Sequence, residues 1–179
     1  MKILITESQL SELTGDNSFF DVYHGTRSSN IEDVIKGFYK DRQLYGVLDN
    51  FNYTEGQNRY GGNIIHYKVP NNGKFIIVDE NTAKRYYREE HDLKTQLMNV
   101  LGFDFETYNN KEYGFVESKY GMQNAMSIEH RLKSLGILNK VDGFIYGNQK
   151  DVVVMQLYKT EIAIPYRYTM NEGETWTKI

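Results

Sequence analysis

This chain of 179 residues predicts an α+β domain with a mixed, mostly antiparallel β-sheet flanked by helices, and three observations carry that reading. The last third is β-rich, with Gly143 to Tyr146, Val152 to Leu157 and Glu161 to Tyr168 as strands and Gly147-Asn148-Gln149-Lys150 as the first turn. Two further β-rich runs, Asn63 to Pro70 and Lys74 to Asp79, flank the turn signal Asn71-Asn72-Gly73 and suggest a hairpin. Helical spacing appears between these groups of strands rather than after every strand. One domain over residues 1–179 follows, long enough to bury a core without staples.

Residues 1–18 read as a lead-in, with a short strand at Lys2 to Ile5 and a brief helix ending near Gly15. Phe19 to Tyr23 is an apolar strand that ends in the polar turn His24-Gly25-Thr26-Arg27. Ser29 and Glu32, three apart ahead of Val34, Ile35 and Phe38, have the spacing of a capping box and predict a helix. Lys40 to Tyr60, rich in Gly, Asn and Asp, reads as a loop with a short helix at Thr54 to Tyr60. Long loops inside compact domains tend to be functional. Ala83 to Leu101 repeats apolar residues along one helical face and stops at Gly102. Phe103 to Met122 predicts no regular element. Ser127 to Leu135 predicts a second helix, with Ile128, Leu132 and Leu135 on one side and Gly136 as its stop. The unbroken Val152-Val153-Val154-Met155 implies a strand central in the sheet. The tail, 171–179, reads as loosely held.

Composition narrows the chemistry. Hydrophobic residues at 40% and charged residues at 25% are globular values. A formal net charge of -3 gives no global attraction for phosphate backbones or anionic membranes. The absence of cysteine removes disulfides, thiolate zinc sites and a thiol nucleophile. His24, His66, His91 and His130 lack the spacing of a metalloprotease helix, so no metal site is expected. No leader and no membrane span are legible, which predicts a cytoplasmic protein. Tyrosine, at 15 copies, supplies rings with hydrogen-bonding tips that suit a cleft wall as well as a core rim.

A strand, a polar His-Gly-Thr turn and a helix in succession place His24, the Gly25 backbone and Thr26 where a small molecule can approach closely. With two later stretches this one resembles the ADP-ribosyltransferase family, in its diphtheria-toxin-like and PARP-like branch. The second stretch is Tyr53-Thr54, Arg59-Tyr60-Gly61 and the strand Asn63 to Val69. The third is Asp142-Gly143-Phe144-Ile145-Tyr146, a turn, then Asp151-Val152-Val153-Val154 and the closing Glu161-Ile162. The likeness runs in order from about Phe19 to Pro165 through short motifs, so it is their succession that carries it. It implies an ADP-ribosyltransferase-like fold with a split β-sheet.

The resemblance also implies that NAD is the substrate. Breaking the bond from its cationic nicotinamide to ribose creates an oxocarbenium-like centre, as in glycoside hydrolysis. A protein assists by holding the dinucleotide bent and placing negative charge near the ribose. By the same resemblance His24 bonds ribose hydroxyls on the adenosine side, Gly25 pairs with the nicotinamide amide and Thr26 supports the turn. Tyr53 stacks on nicotinamide and Tyr60 forms the opposite wall; a longer-spaced register would put Leu48 or Asp49 in the stacking position. Where the family usually has a glutamate this chain has Gln149, Lys150 and Asp151. Asp151 is one methylene shorter, and Gln149 can bond a ribose hydroxyl without charge. The expected activity is therefore transfer of a single ADP-ribose to a macromolecular acceptor, a protein in the first instance, with nucleic acid still open. A non-catalytic NAD-binding or protein-interaction module, or an RNA 2′-phosphotransferase-like enzyme, are the alternatives. The tyrosine- and asparagine-rich style and the opening MKILITESQL resemble bacteriophage-encoded proteins, which would make the acceptor a host molecule.

Overall fold

The computed structural model describes residues 18–38, 43–48, 62–78, 82, 96, 121–147, 152–171 and 173–179, with backbone alone for 121–124. Its strands are β1 (Phe19–Thr26), β2 (Leu44–Leu48), β3 (Asn63–Pro70), β4 (Phe75–Ile77), β5 (Gly143–Gly147), β6 (Val153–Leu157), β7 (Ile164–Thr169) and β8 (Thr177–Lys178). They form an eight-stranded sheet in the order β4-β5-β6-β2-β1-β3-β7-β8. The β4–β5 pair is parallel and every other pair antiparallel. The helices among the described residues are α1 (Ile31–Phe38) and α2 (Gly121–Ser134), and short 3₁₀ turns occupy Leu138–Lys140 and Thr160–Ile162. The α+β class with a mixed, mostly antiparallel sheet is therefore observed, as is β6 near the middle with Val153, Met155, Gln156 and Leu157 buried.

This sheet cannot be flat. Five strand spacings separate β3 from β4, about 24 Å at ordinary spacing, yet the chain from Pro70 to Phe75 reaches at most about 17 Å. The sheet must curl until its two halves face each other. Phe20 of β1 accordingly meets Phe75 of β4 edge to face, ring centroids 5.8 Å apart. The inner faces share one core: Val22, Leu48, Ile65, Tyr67 and Val69 pack with Phe75, Ile77, Ile145, Val153 and Met155, and Ile31, Val34 and Ile35 of α1 join them. The outer face of β4–β5 is covered by α2, whose Ala125, Ile128 and Leu132 meet Ile76, Phe144 and Tyr146. Full burial of a large apolar side chain, as at Ile65, Ile128, Leu132, Phe144 and Met155, contributes roughly 1.5–3 kcal/mol.

Several expectations are corrected. The Asn63–Pro70 and Lys74–Asp79 runs do not form a hairpin, because Pro70 and the short Asn71-Asn72-Gly73 link hand the chain to the other half-sheet, where β4 pairs with β5. The strand at Phe19 continues through His24, Gly25 and Thr26, which pair with Ile65, Ile64 and Asn63. Asn30, rather than Ser29, caps α1: its Oδ1 accepts from the Asp33 N–H at 3.2 Å and its Nδ2 donates to the Asp33 carboxylate at 2.7 Å. β2 lies inside the stretch expected to be loop. Helix α2 begins at Gly121, six residues before the expected start, and Leu135 is exposed rather than buried. Thr160–Ile162 is a 3₁₀ turn, so β7 starts at Ile164 rather than Glu161. The tail is held as well, since β8 pairs Lys178 with Arg167 and Thr177 with Tyr168. The predicted elements at Lys2 to Ile5, Thr54 to Tyr60 and Ala83 to Leu101 lie outside the described residues, apart from Gln96. Its amide bonds both backbone groups of Ile77, at 2.7 and 2.9 Å. Among the described residues no helix is long and apolar enough to cross a membrane.

Candidate functional site

Strand register places His24 on the inner face. It alternates with Val22 along β1 and stands opposite Ile65, both in the inner core. In β2 the same row holds Gly46, and beyond it Met155 of β6. A Cβ on Gly46 would come within 2.3 Å of Val22 Cγ1 and 3.1 Å of the Tyr23 carbonyl, so the absent side chain is what lets Val22 settle there.

The half-buried His24 ring places Nδ1 2.7 Å from the Tyr45 carbonyl. A carbonyl only accepts, so Nδ1 carries a proton and Nε2 is the acceptor of the neutral ring. Burial pushes the His24 pKa below its ordinary 6.5, outweighing the opposite pull of the Tyr45 carbonyl. The ring is therefore neutral at physiological pH.

Beyond His24, Gly25 ends the strand with Thr26, and the Thr26 hydroxyl accepts from the Ser28 N–H at 3.2 Å. Asn63, paired with Thr26 in the sheet, donates its Nδ2 to the Ser28 carbonyl at 2.8 Å. The turn after β1 is thus fixed from both sides. Ser28 in turn accepts from the Asn30 N–H at 3.1 Å, which delivers the cap residue to α1.

His24, Gly25 and Thr26 are brought together on one strand. Tyr53, Tyr60, Gln149 and Asp151 lie outside the described residues. The chain leaves β2 at Leu48, in the row of Val22, and re-enters at Asn63, in the row of Thr26. β1 lies between β2 and β3 in the sheet. Tyr23, Val47 and Val154 form one row, so β6 starts at Val153 beside Leu48, where β2 ends. The C-terminal end of β2 and the N-terminal end of β6 therefore lie side by side.

Sequence reasoning missed a polar network on the outer face, in the row of Gly25. Gln156, 2% exposed, directs its amide to Glu129 Oε2 at 2.9 Å and Gln43 Oε1 at 3.1 Å. The Tyr45 hydroxyl donates to Gln43 Oε1 at 2.6 Å, and Lys133 pairs with Glu129. Burial alone would raise the Glu129 pKa, but the bonds from Lys133, Gln156, Gln43 and Tyr158 together hold it below the usual carboxylate value. Burial and the Glu129 charge raise both phenols, so Tyr45 and Tyr158 remain protonated donors. Only the alternation of Tyr45 with Gly46, and of Gln156 with Met155, could have signalled this network. Tyr45 thus serves two faces, its carbonyl orienting His24 and its hydroxyl tied to the network behind.

No family model, curated protein or solved structure matches this chain.

Proposed function

We propose that this protein is an NAD-dependent mono-ADP-ribosyltransferase that uses the inner face beside His24 as the dinucleotide cleft. The observation that carries the reading is the His24 ring, fixed through Nδ1 by the Tyr45 carbonyl and facing inward in the row of Gly46. Its acceptor at Nε2 suits a ribose hydroxyl, and the Gly25 backbone follows at the strand end, where an amide can pair. By the family resemblance, Tyr53 or Tyr60 supplies the wall against the nicotinamide.

In the reaction the bond between nicotinamide nitrogen and ribose C1′ breaks with its electron pair passing to nicotinamide. The acceptor nucleophile then bonds to C1′ and loses its proton. Asp151 is the candidate for negative charge near the ribose and Gln149 for a neutral hydroxyl contact. By the family resemblance, the missing glutamate favours transfer of one unit over chain building. The missing glutamate also supports the second reading, a module that binds NAD without turning it over.

Labelled NAD incubated with protein and a cell lysate separates these readings. Label transfer or nicotinamide release that is lost in His24→Ala supports the proposal, and activity that survives the substitution rejects the site. NAD binding without turnover selects the non-catalytic module. NAD-dependent loss of an RNA 2′-phosphate selects the phosphotransferase-like alternative, and label recovered in nucleic acid moves the acceptor class.

A further inference from the structure

The opposite, outer face of β1, β3 and β7 holds a buried titratable cluster that the proposed chemistry does not use. His66, 2% exposed, stands on β3 in one row with Tyr23 and Arg167. Its ring stacks on Tyr23 with centroids 4.5 Å apart and meets the Tyr166 ring edge-on at 5.3 Å. Both nitrogens are engaged: Nε2 lies 2.5 Å from Asp21 Oδ1 and Nδ1 lies 2.9 Å from Arg167 Nε.

These contacts define the proton inventory. An arginine Nε–H can only donate, so Nδ1 must present its lone pair and the ring proton must sit on Nε2, donated to Asp21. Arg167 in turn lies over the Trp176 indole, 4.4 Å from its centroid. Trp176 immediately precedes β8, and Arg167 is the register partner of Lys178 in that strand. The imidazole lone pair thereby holds the arginine that lies over Trp176, whose indole also meets the Tyr23 and His66 rings edge-on with centroids 6.2 Å away.

We propose that His66 is a proton-operated latch for the C-terminal strand. A proton added at Nδ1 sets two N–H groups head to head and two cations side by side, so Arg167 leaves His66 and its seat on Trp176 is lost. The charged groups that face His66 are Asp21 on β1, Lys68 on β3, whose Nζ is 2.6 Å from Asp21 Oδ1, and Arg167 on β7. Burial, aided by the Arg167 and Lys68 charges, outweighs Asp21 and holds the His66 pKa below 6.5. The latch is closed at neutral pH and opens on acidification.

Trp176 is the single tryptophan of the chain, so its fluorescence reads the latch directly. Between about pH 7.5 and about pH 5 the emission maximum is expected to shift to the red in a one-proton transition with its midpoint below 6.5, while far-ultraviolet circular dichroism stays unchanged. His66→Gln, which does not titrate, is expected to abolish that transition. Emission that stays flat in the wild type, or a transition kept at the same midpoint in His66→Gln, overturns the proposal. Should the variant fail to fold, ring ¹⁵N shifts of the wild type decide. A lone pair at Nδ1 near neutral pH that is lost at the fluorescence midpoint supports the latch, and a ring doubly protonated at neutral pH contradicts it.

Discussion

A backbone carbonyl fixes the tautomer of His24. Since the Tyr45 carbonyl accepts from the Nδ1 N–H, the acceptor of the neutral ring is Nε2, and His24→Gln retains part of that acceptor capacity while His24→Ala retains none. We expect NAD affinity to fall roughly tenfold in His24→Ala and less in His24→Gln, by calorimetric titration, in line with about 1.4 kcal/mol for one well-placed hydrogen bond. The lowered His24 pKa implies that a function needing the neutral ring is constant above about pH 6.5 and declines beneath it. Gly46→Ala is expected to lower stability by about 1–3 kcal/mol in urea unfolding, because its Cβ would overlap Val22. The His-Gly-Thr motif was legible because its residues are contiguous. Its hydrogen-bond partner was not, because Leu44-Tyr45-Gly46-Val47-Leu48 is a five-residue strand broken by glycine within a stretch of turn-forming residues.

At the scale of elements, local chemistry located segments but not their partners. The Asn63–Pro70 boundaries were readable from β-branched and aromatic residues, yet the turn behind Pro70 carried a hairpin signal that the curled sheet overrides. The competing cap had the same origin, since Ser29–Glu32 and Asn30–Asp33 share one spacing and only coordinates show the asparagine closing the helix. Asn30→Ala should cost about 1 kcal/mol of stability. Gly136 ends α2 with φ of +68°, its N–H bonding the Lys133 carbonyl and the Ile137 N–H the Leu132 carbonyl, each at 3.0 Å. Gly136→Ala should destabilise by about 1 kcal/mol for that left-handed position, whereas Leu132→Ala, which empties a site under α2, should cost about 2–5 kcal/mol. Chemical denaturation of the three variants checks the ranking. Asp142 shows why the last strands were easier to read than to assemble. It bonds the Lys74 N–H at 2.8 Å and pairs with Lys159, joining segments far apart in sequence.

Across the whole molecule the curl makes one inner core from two half-sheets and leaves buried ionisable groups on both faces. His24 and His66 have pKa values pushed below 6.5, so the folded state binds fewer protons than the unfolded chain and stability rises with pH. Their contribution is complete above about 6.5 and is lost as pH falls through the lowered values. For Asp21 burial opposes ionisation, but His66 and Lys68 together hold its pKa at about 2 against an ordinary 3.8. Its contribution is present above 3.8 and lost as pH falls toward 2. Urea midpoints should therefore decline in two steps on acidification, and an acid-insensitive midpoint would contradict the burial of these groups. The sheet class was legible from alternating strands, while the curl follows from the short link at residues 71–74, whose significance depends on a strand order that no local pattern encodes.

Titrating NAD into the wild-type protein and into His24→Ala by calorimetry bears most directly on the dinucleotide cleft. Saturable binding to the wild type, weakened about tenfold by the substitution, is the expected result. Absence of binding to the wild type, or equal affinity in both proteins, would contradict a cleft built around His24.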